Sequence, residues 1–508
     1  MTANHAHDAL IGRTDARDRP FLHLPDGAVW THGAFADRAA RLAAALAARG
    51  LAPGDRVAVR VAKQPDALTL YAASLRGGFV FLPLNPAYTP AELDHFVGDS
   101  EARLVVCDAD GRAAVAPVAA HHGAAAVTLA DLARDGERAT AGPVAGRASN
   151  DLAAILYTSG TTGRSKGAML THGNLVSNAL ALRDAWRFSA DDVLIHALPV
   201  FHTHGLFVAT NVSLTAGSSM IFQPRFDADA VLAAIPRATT MMGVPTFYVR
   251  LLDHPRLTRE VVAHMRLFVS GSAPLLAETH GAWEARTGHR ILERYGMTET
   301  NMNASNPYEG ERRPGTVGLA LPGTEIRITG EGRVPLGAGE TGMIEVRGPN
   351  VFPGYWRMPE RTAEELGPDG WFVTGDLGTL SADGYLSIVG RQKDLVISGG
   401  YNVYPREVEQ ALDDLPGVRE SAVVGVPHPD LGEAVVAVVV ADGDARLDSD
   451  ALRAALGDRL ARFKQPRAIH VVPELPRNAM GKVQKNVLRT TFGEAAAIGA
   501  ERVDQRTS

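Results

Sequence analysis

The chain has 508 residues, 45% hydrophobic and 21% charged, the composition of an ordinary globular protein too long for a single core. Its 51 basic and 57 acidic residues leave a net charge of −6, which excludes a general electrostatic footprint for nucleic acid or an anionic membrane, and a single cysteine excludes an internal disulfide framework. No apolar run reaches the ~18 residues that span a bilayer and no basic-then-apolar leader opens the chain, so the expectation is a cytoplasmic protein, monomer or homodimer, with no nucleic-acid or membrane partner.

From residue 34 to 150, helical and strand patterns alternate. AFADRAARLAAALAARG reads as an amphipathic helix closed by Gly50, RVAVRV as a strand, PDALTLYAASLRGG as a helix with a glycine stop and FVFLPL as another strand. Such alternation predicts a layered α/β domain with a largely parallel sheet. The stretch 113–149, rich in Ala, Gly and Arg, has weak periodicity and reads as a poorly specified peripheral segment. A second α/β run occupies 151–300. Between 313 and 392 the texture changes to short strands between glycine turns (TEIRI, GMIEVRG, GWFVTGDLG, GYLSIVG), the pattern of a small β-rich subdomain. After Arg391 helix and strand patterns resume, with PREVEQALDDLPG as a helix and SAVVGV and AVVAVVVA as strands. The expected fold class is therefore α/β, with a large N-terminal domain over 1–392 that includes the β-rich part and a smaller α+β C-terminal domain over 393–508.

The strongest local signal is DLAAILYTSGTTGRSKGAML. AAILYT reads as a buried strand, 159–167 as a loop holding Gly160, Gly163 and Gly167, and the sequence beyond as a helix with Leu175, Ala179 and Leu182 on one face. Glycines let successive backbone N–H groups turn inward, Thr158, Ser159, Thr161 and Thr162 add hydroxyls, and Lys166 adds charge. That is a cradle for a phosphate chain. It is not a Walker A loop, because Ser165 stands where that pattern needs glycine. Residues 163–167 also fit the hydrolase elbow G-x-S-x-G with Ser165 as nucleophile, but an elbow follows its strand immediately and here six residues intervene. Lysine is rare: only six of the 51 basic residues are lysine, and Lys482 and Lys485 stand together in NAMGKVQK.

YTSGTTGRSKG resembles the phosphate loop of the adenylate-forming superfamily, which includes the acyl-CoA synthetases. Further motifs occur in that family's order: ERYGMTE at 293–299, TGD at 374–376, GRQKDLVISGG at 390–400 and PRNAMGK at 476–482. The resemblance implies a reaction in which a carboxylate attacks the α-phosphate of ATP and a thiol, that of CoA, then displaces AMP. It implies Mg²⁺ held by Glu299, and Thr298 with the backbone of Tyr295, Gly296 and Met297 beside the α-phosphate and acyl carboxylate. Ser272 and Ala273 in SGSAPL match the adenine-side segment, Asp376 the ribose-binding acid and Arg391 its partner. Lys393 matches a hinge about which the C-terminal domain is mobile. Lys482 matches the lysine that joins the site for adenylation, a task for which a flexible point charge suits better than a planar fork. Gly399, Gly400 and Tyr401 match the segment that then forms the CoA tunnel.

The same resemblance places the acyl pocket among PVFHTHGL, GVPTFYVR and TETNMN, with His202 as a gate and Thr203, Ser270 and Met302 lining a short pocket. His-Thr-His suggests a metal, but no further cluster completes a site. GVPTFYVRLL reads as a helix from Pro245, with Arg250 on the face of Phe247; a cation delivered there suits a substrate with a second carboxylate. The alternative is a surface pair of Arg250 with Asp253, and Arg294 is a second candidate cation. Several longer runs, among them HALPVFHTHGLF and ERYGMTETNMN, resemble the malonyl-CoA synthetases, which implies malonate or methylmalonate as the acid. An acyl-CoA synthetase for a small monocarboxylic or aryl acid is the alternative.

Overall fold

The computed structural model describes residues 3–13, 15–158, 165–398, 401–428, 431–457, 459–478 and 481–493. The chain divides into two compact units, Met1–Ile326 with Val346–Phe372, and Arg327–Glu345 with Val373–Ser508. The architecture is α/β, as the alternating patterns predict. No helix among the described residues is long and apolar enough to cross a membrane.

The first unit holds two large sheets. In the six-stranded sheet the order is Ala125–Thr128, Leu104–Cys107, Arg56–Arg60, Val80–Pro83, Leu152–Thr158 and Lys166–Thr171, parallel except for the last pair. The helix His32–Ala48 ends before Gly50 at φ 85°, and Pro65–Gly77 ends on Gly78 at φ 70°, so both glycine stops occupy the left-handed region that side chains disfavour. The nine-stranded sheet runs Leu319–Ala320, Asn301–Ser305, Leu292–Met297, Leu267–Ser270, Thr240–Gly243, Val193–His196, Ser219–Phe222, Pro20–His23 and Val29–Thr31. Its interior strands from Pro20–His23 to Leu292–Met297 are parallel. Both faces are covered, and the strands read as near-continuous apolar runs for that reason.

Two expectations are corrected here. Residues 113–149 are not irregular: the helix Arg112–His121, the edge strand Ala125–Thr128 and the helix Leu129–Arg138 occupy most of them. Alanine favours helix without marking a face, which hides the period, and a four-residue edge strand is too short to show its own. The helix expected beyond the glycine-rich loop is present, with Leu175, Ala179 and Leu182 buried, but it does not follow the loop directly. Lys166–Thr171 returns as a strand antiparallel to Leu152–Thr158, and the helix His172–Ala185 starts only after it, in a capping box between Thr171 and Asn174. A helix terminus therefore does not face the loop.

The second unit carries most of a four-stranded sheet in the order Glu325–Thr329, Gly342–Arg347, Phe372–Leu380 and Leu386–Arg391. It continues into a sheet built on the long hairpin Val418–His428 and Gly432–Ala441, flanked by Val396–Ser398 with Tyr401–Val403 and by Ala468–Val472. The helix Pro405–Asp413 packs on the hairpin with Val408 and Leu412 buried.

Asp192 locks the large sheet at the N-terminal ends of three strands. Its carboxylate, almost wholly buried, takes both arms of the Arg266 guanidinium at 2.6 and 2.7 Å and the Thr239 hydroxyl at 2.7 Å. Burial raises its pKa, but the Arg266 pairing and the Ser189 N–H bring it below the ordinary carboxylate value of 3.8. Its stabilisation is therefore present above that value and lost as pH falls through the depressed pKa. Asp192→Asn is expected to cost about 3 kcal/mol by leaving Arg266 half-paired, read as a lower thermal unfolding midpoint whose deficit shrinks under strong acid.

Candidate active site

Parallel strands leave their carboxyl ends open for a ligand, and the candidate residues gather at those ends. His196, Gly243 and Ser270 close three neighbouring strands, and Arg294 lies on the fourth, opposite the turn that follows Ser270.

ERYGMTE builds a hairpin rather than a loop. Leu292–Met297 pairs antiparallel with Asn301–Ser305, with a bulge between Tyr295 and Gly296, so Thr298, Glu299 and Thr300 form its tip. Gly296 is obligatory: a β-carbon there would lie 1.9 Å from the Asn301 carbonyl oxygen and 2.5 Å from Met302 Cε. Asn301 adopts φ 50° to close the turn. Met302 is buried and fixed by the Asn178 amide, which donates to its carbonyl at 2.8 Å. Glu299 is 5% exposed, and its Oε1 lies 3.1 Å from the Tyr355 hydroxyl oxygen and accepts from the Thr158 hydroxyl at 3.4 Å. A nearly buried carboxylate among hydroxyl oxygens suits a hard cation such as Mg²⁺.

Thr158 and Lys166 are register partners at the mouth of the loop hairpin. Lys166 Nζ lies 3.2 Å from Glu365 Oε1 and 4.1 Å from the centre of the Tyr355 ring. Ser159, Gly160, Thr161, Thr162 and Gly163 fall outside the described residues, as do Gly399 and Gly400. The elbow reading of Ser165 fails on the fold, since a strand and not a helix follows it.

PVFHTHGL leads from the strand Val193–His196 into a π-helix, His204–Thr210, a geometry frequent at functional sites. Gly205 permits it, because a β-carbon would meet the Pro199 carbonyl oxygen at 2.0 Å. The segment is pinned by Lys63, whose ammonium donates to His196 Nδ1 at 2.9 Å and the His196 carbonyl at 2.7 Å. His196 must then carry its proton on Nε2, which donates to the Gly205 carbonyl at 2.9 Å. Among the described residues no metal-capable trio includes His202 or His204. His202 is half-buried, and Thr203 is buried with no hydrogen bond to its hydroxyl among the described residues.

Arg294 is the most unusual group. It is 3% exposed, Nε and Nη2 have no hydrogen-bond partner, and no carboxylate pairs with it among the described residues. Burial pushes its pKa down to about 9. Its guanidinium fits only because residue 271 is glycine: a β-carbon there would lie 2.5 Å from it. Around it are the buried Ser270 hydroxyl, also without a partner, and His204, whose Nδ1 lies 3.2 Å from the Ser272 hydroxyl. Burial first and the Arg294 charge second hold His204 well below its ordinary pKa, so it is neutral. Ser272 sits at φ 72°, a strained position for a side-chain-bearing residue, and Ala273 beside it is half-buried. Arg250, by contrast, is exposed on the helix Pro245–Leu252, while Phe247 stacks on Phe226 at 4.0 Å.

The remaining candidates belong to the second unit. Asp376 and Arg391 are cross-strand partners with a 2.8 Å ion pair, and Asp376 is almost fully buried. Lys393 follows in the one-turn helix Gln392–Asp394, with its pKa lowered by burial and then by Arg391. Tyr401 is exposed against Phe463. Lys482 is exposed at the end of a turn in which Asn478 N–H donates to the Lys482 carbonyl at 2.9 Å and Lys482 N–H to the Asn478 side chain at 3.0 Å, with Gly481 at φ 74°. Lys485 is a structural residue, 2.6 Å from the buried Glu409.

Sequence reading missed His204, Lys63, Tyr355 and Glu365. His204 was adjacent to a chosen residue, and Lys63 was one of six lysines; Tyr355 and Glu365 carry no local signal.

The chain matches the model for the AMP-binding enzyme over residues 12–356 and that for the AMP-binding enzyme C-terminal domain over 407–482. It is 38% identical over 471 residues to a feruloyl-CoA synthase of an Amycolatopsis species, covering 92% of this chain and 95% of that one. It is 35% identical over 454 residues to a malonate–CoA ligase of Arabidopsis thaliana, covering 82% and 74%. Among solved structures it is similar to ATP-bound MatB from Rhodopseudomonas palustris, with 55% identity, a TM-score of 0.94, and coverage of 97% of this chain and 100% of that one.

Gly271→Ala is expected to displace the Arg294 guanidinium. Steady-state kinetics should show KM for the acid substrate raised about tenfold or more, with KM for ATP little changed.

Proposed function

The chain belongs to the AMP-binding enzyme family and is an AMP-forming acid–CoA ligase, and from that premise we propose that its acid is malonate. The reaction is malonate + ATP + CoA → malonyl-CoA + AMP + diphosphate. The observation that carries the choice is Arg294. A guanidinium buried without a counter-ion is costly, and a ligand that brings a second carboxylate removes that cost. A monocarboxylate leaves it standing. The likeness to malonate–CoA ligase supports the same choice, whereas ferulate has only one carboxylate to offer.

In this reading one malonate carboxylate is held by Arg294 with the Ser270 hydroxyl, and the other is left as the nucleophile. Its oxygen attacks the α-phosphorus of ATP; the new P–O bond forms as the bond to diphosphate breaks. The neutral His204 adds no charge that would compete for the nucleophilic carboxylate. Thr298 and the backbone of Tyr295 to Met297 position the α-phosphate, Thr158 and Lys166 the outer phosphates, and Asp376 with Arg391 the ribose. Glu299, with oxygen donors around it, would hold Mg²⁺, which supplies charge neutralisation on the triphosphate. The CoA thiolate then attacks the acyl carbon and AMP leaves with the electron pair; Tyr401 is assigned to the path of the incoming thiol. We assign Lys482 to the first half-reaction only, with residues 1–392 and 393–508 as the alternating domains and Lys393 as the hinge. His202 is assigned the gate, and Thr203 and Met302 the short end of the pocket. Arg250 is the second cation available to the distal carboxylate.

The measurement is exchange of labelled pyrophosphate into ATP without CoA. Malonate should support it; exchange with acetate or benzoate and none with malonate overturns the choice. Arg294→Ala should reduce malonate-dependent exchange about a hundredfold while sparing whatever exchange a short monocarboxylate supports, and Arg250→Ala run alongside apportions the distal contact between the two cations. Lys482→Ala should lower the exchange on the order of a hundredfold yet leave thioester formation from preformed malonyl adenylate nearly intact.

A further inference from the structure

Lys166 does not wait for phosphate alone. Its side chain is 9% exposed, and the ammonium is paired with Glu365, at 3.2 Å, across the face of the Tyr355 ring. Glu365 is itself 17% exposed and held from three sides: Lys166 and Arg361 share Oε1, and the Tyr355 hydroxyl donates to Oε2 at 2.6 Å. The same hydroxyl lies 3.1 Å from Glu299 Oε1. The chain Lys166–Glu365–Tyr355–Glu299–Thr158 thus closes a ring of polar contacts from one side of the glycine-rich loop to the other.

We infer that Glu365 is a positioning residue for the adenylation step: it holds Lys166 in the nucleotide-free enzyme, competes with the outer phosphates of ATP for it, and takes it back as pyrophosphate leaves. The inference rests on the reading of the loop at 158–166 as the phosphate site. Three features favour an exchange over a permanent ion pair. Glu365 keeps Arg361 when Lys166 departs, so no buried carboxylate is stranded. The Tyr355 ring lies against the ammonium and accepts the cation on its face whichever anion it serves, which keeps the side chain aligned during the move. And lysine, a point charge on a flexible stem, changes partner without having to reorient a planar fork. The consequence is opposite in sign to that of an ordinary phosphate ligand. Glu365 weakens the grip on polyphosphate, and so speeds release of a product that Lys166 alone would retain.

The test is calorimetric titration of the full-length enzyme with magnesium pyrophosphate, comparing wild type, Glu365→Gln, Lys166→Ala and the double variant, with Glu364→Gln as a control for long-range charge. The amide oxygen of glutamine still accepts from Tyr355, so the fold around it keeps its contacts. Glu365→Gln should tighten pyrophosphate binding roughly fivefold, and the gain should shrink to less than about twofold when Lys166 is absent. Lys166→Ala alone should weaken binding. No tightening in Glu365→Gln, or the same tightening with and without Lys166 or in Glu364→Gln, overturns the inference while leaving the phosphate-loop reading in place. If Lys166→Ala leaves pyrophosphate binding unchanged, both fall together.

Discussion

A carboxylate that attacks a triphosphate must approach a group of its own sign. Coulomb repulsion between two such anions at contact is small in water and several-fold larger in a site from which water is expelled, so the protein has to place positive charge there in advance. Every cation it buries for that purpose destabilises the fold until the ligand arrives. The buried basic residues of the first unit show two solutions to this conflict. Arg294 has no carboxylate partner among the described residues, and burial pushes its pKa down to about 9. Lys166 is given a temporary partner in Glu365. In the proposed reading the first arrangement favours a ligand that carries negative charge to that spot, whereas the second pairs the lysine within the protein.

The fold makes both affordable by setting rigid strand ends around them. The Asp192–Arg266 fork ties the far ends of the strands that begin at Val193 and Leu267, and the near ends hold His196 and Ser270. Around the site, close packing is achieved by subtraction of side chains. Gly205 accepts the Pro199 carbonyl, Gly271 the Arg294 guanidinium and Gly296 the Asn301 carbonyl, each at a distance no β-carbon would tolerate. Ser272 at φ 72° is the matching strain on a residue that does carry a side chain, held where its hydroxyl meets His204.

How much of this was legible in the sequence depended on whether the cause was local. The glycine stops at Gly50 and Gly78, the strand of AAILYT, the helix at Pro245 and the turn before Lys482 are set by neighbours in the chain, and each forms as its residues suggest. The strand Lys166–Thr171 was hidden because its pairing partner, Leu152–Thr158, lies across a loop whose glycines dominate the pattern; without that partner the segment KGAMLT has no strand signature. Arg250 and Arg294 were separable only by burial, a tertiary property: helical periodicity correctly put Arg250 one turn from Phe247, but that face continues out to solvent. Glu365 lies in PERTAEEL, where an acid is ordinary. Its significance arises from Lys166, 199 residues away in sequence.

The scarcity of lysine can now be interpreted more narrowly. Lys464 on Glu407 and Lys485 on Glu409 are ordinary ion pairs, and Lys63 serves to orient His196, so rarity alone does not mark a ligand-binding lysine. What separates Lys166 from them is the company its counter-ion keeps. Glu365 alone among these carboxylates has a second cation on the same oxygen as the lysine and a tyrosine hydroxyl on the other. A carboxylate so supplied loses little when one cation leaves, and a lysine bound to it is correspondingly free to go. The same reasoning bears on Arg294 as an arginine: no carboxylate pairs with it among the described residues, and in the proposed reading a planar fork packed against Gly271 presents its donors in one orientation to the distal carboxylate of the acid. Mobility of charge on the phosphate side and fixity on the acyl side follow from the choice of cation at each.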